Sequence, residues 1–373
     1  MSLTPMFTSP MFTSPMFTSP MFTNPKFMAP RFTLKQLPLK RALTAALATA
    51  TLVAAANASA QTLRFAHVDP DDWTTSKKGA AGQVFKNLVE AETDLTVELY
   101  PAGALGGETE LIEGAQDGTI SIAMVSGAYA NFCPAVAVTD IPYTFPSAPV
   151  AWQVMDGEFG TALAEHCLQE TGLRTLAYGE TGFRHFTNSV RPINSPEDME
   201  GLKFRVQTIP LYLEMVSALG GEPQGIAWGE VPTALATGVV DGQENPISVI
   251  YGNNFYEFQD YLTLDRHVYG VDHLLINDEI FQSLSEEEQA AVKRAAVVAG
   301  TTGRAIQQFN SAEGITKLEA EGIEITQPTA EQMEAFREAA QPPVQAYLTE
   351  ELGDDAEWIE RLSSAVEEAS ARF

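Results

Sequence analysis

Two arginines stand where a guanidinium has no evident partner: Arg184 in "GFRHFTN" and Arg205 in "KFRV". A guanidinium presents two parallel N–H donors that match a carboxylate, so a buried one without a protein partner is available to an anionic ligand. A structural salt bridge or a solvent-facing strand position is the alternative. Nothing else points to catalysis. The five histidines, His67, His166, His185, His267 and His273, show no metal-ligand spacing, and no nucleophile elbow, phosphate loop or dinucleotide fingerprint is present. "GALGGE" (103–108) has its glycines at the wrong intervals for a phosphate loop, and His67 with Asp69 offers only two ligands. The stretch "GVVDGQENP" (238–246) packs acids and amides ahead of a proline, with no nucleophile.

The elements that must position these groups are readable from periodicity. "TLRFAHV" alternates as a strand, "KKGAAGQVFKNLVEAET" carries Val84, Phe85, Leu88 and Val89 at helical spacing, and "LTVELYP", "ETELIEGAQDG" and "TISIAMV" follow as strand, helix and strand. Such alternation predicts parallel pairing with crossover helices, an α/β domain. The pattern restarts near Gly172 with "GLRTLAYGE". "RPINSPEDMEG" has Ser195 as N-cap and Pro196 at the first helical position, and "LKFRV" sets Leu202, Phe204 and Val206 on one face with Lys203 and Arg205 on the other. Helices are predicted in "IPLYLEMVSALGG" and "GEVPTALATG", the latter with Pro232 in its first turn. From "SEEEQ", with a Ser285/Glu288 capping box, the pattern runs toward Glu321; about 36 residues at 1.5 Å each give roughly 54 Å, enough to cross two lobes. The remaining helices are predicted to break at Pro342 and Pro343.

The N-terminus reads as an export signal. Lys40 and Arg41 precede the apolar run Ala42–Ala56, and Ala58 and Ala60 occupy the positions a signal peptidase reads, so cleavage after Ala60 is expected. The pentads "MFTSP" and "MFTNP" (6–25) fit neither a helical nor a strand period. All five basic residues ahead of Gln61 leave with the leader, so 17 basic side chains face 49 acidic ones in what remains. That surface repels nucleic acid and anionic lipid. Cys133 and Cys167 both lie in the exported part; pairing would close a 34-residue loop and add on the order of 3 kcal/mol, with two buried thiols as the alternative.

The run from Arg184 to His267, with "RHFTNSVRPINSPEDMEGLKFRV", "WGEVPTALATGVVDGQENP" and "YEFQDYLTLDRH", closely resembles the substrate-binding subunits of tripartite ATP-independent periplasmic (TRAP) transporters of the DctP type. So do "ALGGETELIEGAQDGTISIAMVS" and "TDIPYTFPS", and the resemblance spans residues 61 to 350. It implies a two-lobed α/β periplasmic-binding-protein fold (class II-like), with a cleft between lobe I (61–182 plus 271–310) and lobe II (183–270 plus 311–373, with the C-terminal helices). Residues 1–60 are the repeat and leader. It implies Arg205 as the carboxylate clamp, Arg184 beside it, and Asn245 and Trp228 as pocket positions. From lobe I it implies the loop His67 to Trp73, Glu108, Ser126 and Tyr129. Asp241 and Glu244 are expected to hold the bend. Pro232 departs from the tyrosine more common in the family, and Ser126 from the glutamate of several sialic-acid binders, which disfavours sialic acid.

The function so implied is a monomeric periplasmic solute-binding subunit, not an enzyme, with no cofactor or metal. It would capture a mono- or dicarboxylate or a sugar acid and deliver it to membrane permease subunits. A zwitterionic osmolyte such as ectoine, or a receptor role upstream of a sensor kinase, is the alternative; Arg184, as a second guanidinium, argues against a cationic ligand.

Overall fold

The computed structural model describes residues 61–373; the pentads, the leader and its cleavage site lie outside the described residues. The strands fall into two sheets. The first holds β1 (Thr62–Ala66), β2 (Thr96–Tyr100), β3 (Ile122–Val125), β4 (Leu173–Phe183) and β10 (Tyr269–Asn277) in the order β2-β1-β3-β10-β4. The second holds β5 (His185–Asn188), β6 (Lys203–Val206), β7 (Glu222–Gly225), β8 (Gly242–Asn245), β9 (Tyr261–Thr263) and β11 (Glu324–Thr326) in the order β11-β9-β5-β8-β6-β7.

β1 pairs in parallel with β2 and β3, as the alternation predicts, through the crossover helices α1 (Lys77–Glu92) and α2 (Glu108–Gln116). The surprise is β10, which enters between β3 and β4 antiparallel to both. All nine of its residues are buried, so its sequence lacks the polar alternation of a half-exposed strand. The chain leaves the first sheet through β4, which leads into β5 through Arg184 alone, and returns to it through β10. In the second sheet β8 is central, antiparallel to β5 and parallel to β6, and buried along its length. The stretch "DGQENP" is therefore an interior strand whose polar side chains must find partners inside the protein.

Lobe I adds α3 (Ala148–Met155) and α4 (Glu158–Thr171), and lobe II adds α5 (Pro210–Ala218), α6 (Val231–Ala236) and α7 (Ile247–Gly252). After α8 (Asp278–Ser283), the 35-residue α9 (Glu286–Ala320) starts at the expected Ser285/Glu288 capping box. Its first half packs Val292, Ala295, Ala296 and Ala299 into the core of the first sheet, whereas Leu318 joins Val231, Ile250 and Phe255 of the second lobe. Close approach depends on glycine at both ends: a Cβ on Gly300 would stand 2.7 Å from the Tyr178 carbonyl oxygen, and one on Gly314 2.6 Å from Ile247 Cγ2.

Two expectations for the C-terminus are corrected. α10 (Ala330–Leu352) runs straight through Pro342 and Pro343. Consecutive prolines forfeit two helical hydrogen bonds and cost about 3 kcal/mol or more each, but Phe336, Ala340, Val344 and Leu348 bury one continuous apolar face, packed against α5. The last helix, α11 (Glu357–Ser370), lies on lobe I rather than lobe II, with Trp358 edge-on to Phe159 and Leu362 buried against α3 and α4. Cys133 and Cys167 are bonded, Cα atoms 5.5 Å apart, tying the start of a 3-10 turn to α4.

Glu180 on β4 is fully buried and accepts hydrogen bonds from Trp152 Nε1 (2.8 Å) and Gln308 Nε2. Burial pushes its carboxyl up to about 7, the two hydrogen bonds pulling only part of the way back. Between the ordinary 4.5 and 7 the folded protein keeps a proton that the unfolded chain has lost, so stability falls as pH rises through that window. The melting temperature of Glu180→Gln is expected to decline less than that of the wild type between pH 4.5 and 7; equal slopes would show that Glu180 does not titrate there.

Candidate functional site

A cavity of about 300 Å³ lies between the two sheets, walled on one side by β6, the turn before α6 and the end of β8, and on the other by the loop after β1, the starts of α1 and α2, and the end of β3. Strand alternation explains Arg205: Phe204 and Val206 turn into the core, so residue 205 faces the cleft. The side chain is only 3 % exposed, its Nε donates to the Ile226 carbonyl (2.9 Å), and its guanidinium lies 5.8 Å from the centre of the Trp228 ring. Among the described residues neither Nη has a protein acceptor and no carboxylate stands within ion-pair distance. Burial, aided by the Arg184 charge and opposed by Glu244, pulls it down to about 10, so it is still a cation at neutral pH.

Arg184 also lines the cavity, but its charge is already matched. Nε and Nη2 grip Glu244 (2.5 and 2.8 Å), and Nη2 also reaches the Glu244 carbonyl (2.9 Å) and Asn245 Oδ1 (3.2 Å). Burial alone would raise Glu244, but Arg184 and His267 outweigh it and hold the carboxyl at about 2. His267, bridging Glu244 (3.2 Å) and Asp265 (2.8 Å), is pushed up by those two carboxylates against its burial. Arg184 is thus a paired, positioning cation, and the expectation of a second free guanidinium is corrected: Glu244 and Arg184 flank one another because β5 and β8 are paired at His185 and Asn245. Asp241 and Glu244, expected at the bend, sit elsewhere: Asp241 precedes β8 and accepts from the Lys203 N–H at the start of β6 (2.8 Å), and Glu244 is taken up by Arg184 and His267. Asn245 lines the cavity with its amide donating to Gln243 Oε1 (2.6 Å).

The first-lobe wall is a dense ion-pair network. Lys78, 1 % exposed, donates to Glu108 Oε1 (2.7 Å) and Ser126 Oγ (2.8 Å) and lies 3.5 Å from Asp272 Oδ1. Burial lowers its affinity for a proton, but Asp272, Glu108 and Asp69 together raise it above the ordinary value. Ser126 and Thr181 donate to Asp272 Oδ1 (2.7 and 2.6 Å). Lys77 pairs with Asp69 (2.9 Å), and Asp69 stays ionised despite its burial because Lys77 and Lys78 hold its carboxyl well below the usual range.

Of the residues expected from the sequence, Arg205, Arg184, Asn245, Trp228, Glu108 and Ser126 come together on this cavity. Three do not. His67 is buried edge-on to Phe65, held neutral by burial at about 4. Trp73 is 68 % exposed, and Tyr129 is enclosed in the core with its hydroxyl on Thr171 (3.1 Å). Within the expected loop His67 to Trp73 it is Val68 and Asp69 that face the cavity, while Lys77, Lys78, Thr181 and Asp272 were missed as ligand-facing groups or their supports. The signal for the two lysines lay in "SKK": lysines in the first turn of a helix oppose its dipole and need a local reason. Among the described residues, the group of three potential metal ligands within reach of one another, Cys133, His166 and Glu170, contains a disulfide sulfur.

The chain has relatives among known proteins. The chain is 33% identical to a TRAP solute-binding protein of Roseobacter denitrificans solved with bound L-galactonate, at a TM-score of 0.74 over 82% of this chain and 99% of that one. A sugar acid binding protein from Advenella mimigardefordensis in complex with galactonate is 32% identical, with a TM-score of 0.77 over 83% and 99%. The ectoine/5-hydroxyectoine-binding periplasmic protein of Ruegeria pomeroyi is 31% identical over 81% of this chain and 89% of its own length. Residues 65–351, nearly the whole two-sheet body, match the DctP pattern of bacterial extracellular solute-binding proteins, family 7, and to that family this chain belongs.

Proposed function

We propose that this protein captures a sugar acid in the periplasm and hands it to TRAP permease subunits in the membrane. The observation that carries the reading is Arg205: a buried guanidinium, fixed by one backbone hydrogen bond and flanked by Trp228, with both Nη groups unmatched by any acid. A ligand carboxylate supplies the missing counter-charge through two parallel hydrogen bonds. The two walls come from different lobes, so a ligand that touches both is held best in the closed arrangement and shifts the population toward it. As water leaves, the ion pair strengthens.

The L-galactonate and galactonate bound to these relatives, and the D-glucuronate bound to a TRAP solute-binding protein of Chromohalobacter salexigens, favour an aldonate or uronate. Ectoine is the second reading, supported by the Ruegeria relative and by the acids on the first-lobe wall. With Arg184 neutralised by Glu244, the repulsion argument against a cationic ligand loses half its force. Thermal shift against aldonates, uronates, short carboxylates and ectoine tests the proposal. A rise in melting temperature with aldonates or uronates supports it; a rise with ectoine alone overturns the choice of ligand.

A further inference from the structure

The cavity is electrically polarised from one lobe to the other. On the lobe II side the Arg184–Glu244 pair cancels and Arg205 remains, a net positive end. On the lobe I side two ammonium groups, Lys77 and Lys78, face three carboxylates, Asp69, Glu108 and Asp272, all within 3.9 Å of one lysine or the other. Glu110 lines the same side. Lys78 donates to Glu108 and Ser126 and ion-pairs with Asp272 at 3.5 Å, and Lys77 pairs with Asp69, so neither lysine is a free cation in search of an anion. What this wall offers outward is acceptors: Asp69 binds Lys77 through Oδ2, Glu108 binds Lys78 and the Ser126 N–H through Oε1, and the second oxygen of each makes no protein hydrogen bond.

We infer that the site selects monocarboxylates with a hydroxylated, uncharged tail and rejects acids that carry a second carboxylate at the opposite end. The inference rests on the sugar-acid reading above and sharpens it. A tail hydroxyl donates a proton to Asp69 Oδ1 or Glu108 Oε2. A carboxylate is acceptor-only and would meet those oxygens with like charge and no counter-ion. A delocalised cation would meet acids there but no free aromatic face: Trp228 is the aromatic side chain of the cavity lining, and its ring already faces Arg205.

The test compares acids that differ only in the far end: galactonate with galactarate, gluconate with glucarate, and threonate with tartrate, by calorimetry at pH 7.5, with ectoine alongside. In the wild type each monoacid is expected to bind on the order of a hundredfold tighter than its diacid, the scale of leaving a buried charge unpaired. Glu108→Gln removes one wall charge and releases Lys78 in part, so the monoacid-to-diacid ratio falls by about tenfold or more. Asp69→Asn does the same from the loop after β1 and carries the test if Glu108→Gln does not fold. Diacids binding within about threefold of monoacids in the wild type, or a ratio unmoved in every folded variant, overturns the inference while leaving the sugar-acid reading intact. Binding of ectoine alone, or of no acid at all, overturns that reading and this inference with it.

Discussion

Arg205→Ala folds, melts no lower than the wild type in the absence of ligand, and binds no sugar acid measurably. The two halves of this result have one cause. In the free protein Arg205 is a buried cation with no acid beside it, burial lowering its proton affinity toward about 10. Removing it takes away a desolvation cost and one hydrogen bond to the Ile226 carbonyl, which nearly offset one another. In the complex the same removal leaves a ligand carboxylate buried without its partner, at about 3 to 5 kcal/mol. A ligand held at micromolar affinity, roughly −8 kcal/mol, would drop to the millimolar range. Melting curves and titration calorimetry on one preparation read both halves. Affinity within tenfold of the wild type would remove Arg205 from the clamp. Arg205→Lys recovers little, because an ammonium cannot both hold Ile226 and present a fork.

Glu244→Gln has the opposite signature. Here the deleted charge is the matched one, and Arg184 and His267 are left buried with too little negative charge between them. The expected cost is about 3 to 5 kcal/mol, a fall in melting temperature on the order of 10 °C for a chain of this size. The pH dependence separates this from a packing defect. Glu244 sits at about 2 in the folded protein against 4.5 ordinarily, so its contribution is fully present above 4.5 and is lost as pH falls toward 2. In Glu244→Gln that share of the acid loss is absent, and the two stability curves converge at low pH. Curves that stay parallel down to pH 2.5 would argue that the pair does not stabilise the fold electrostatically.

Much of this was legible in the chain. The 2-residue alternation in "LKFRV" put Arg205 opposite the core residues Phe204 and Val206, and the capping box at Ser285 started the long helix where it starts. The parts that were not legible depend on partners distant in sequence. Lys78 looks like a solvated residue at a helix start until Glu108 and Asp272, 30 and 194 positions away, close on it. Arg184 reads as free for ligand because its counter-ion is 60 residues later, brought alongside only when β5 and β8 pair. Tyr129 and Ser126 stand three residues apart, yet a 3-10 turn from Gly127 to Asn131 sends Tyr129 into the core while Ser126 keeps the cleft. Pro342 and Pro343 mislead for the same reason, since the face they interrupt is held by tertiary burial rather than by local hydrogen bonds.

The placement of α11 has a practical side. β1 opens the described chain in the first sheet, and α11 closes it on that same lobe through Trp358 and Leu362. Both ends of the described body therefore leave from lobe I. Anchored to a surface or a fluorescent fusion through either end, the protein keeps lobe II unattached. A dye at an exposed site on the second lobe, such as Val239, would then report solute as a change in distance from the anchored end. Closure on solute, as proposed above, would become an optical signal without any label touching the cleft.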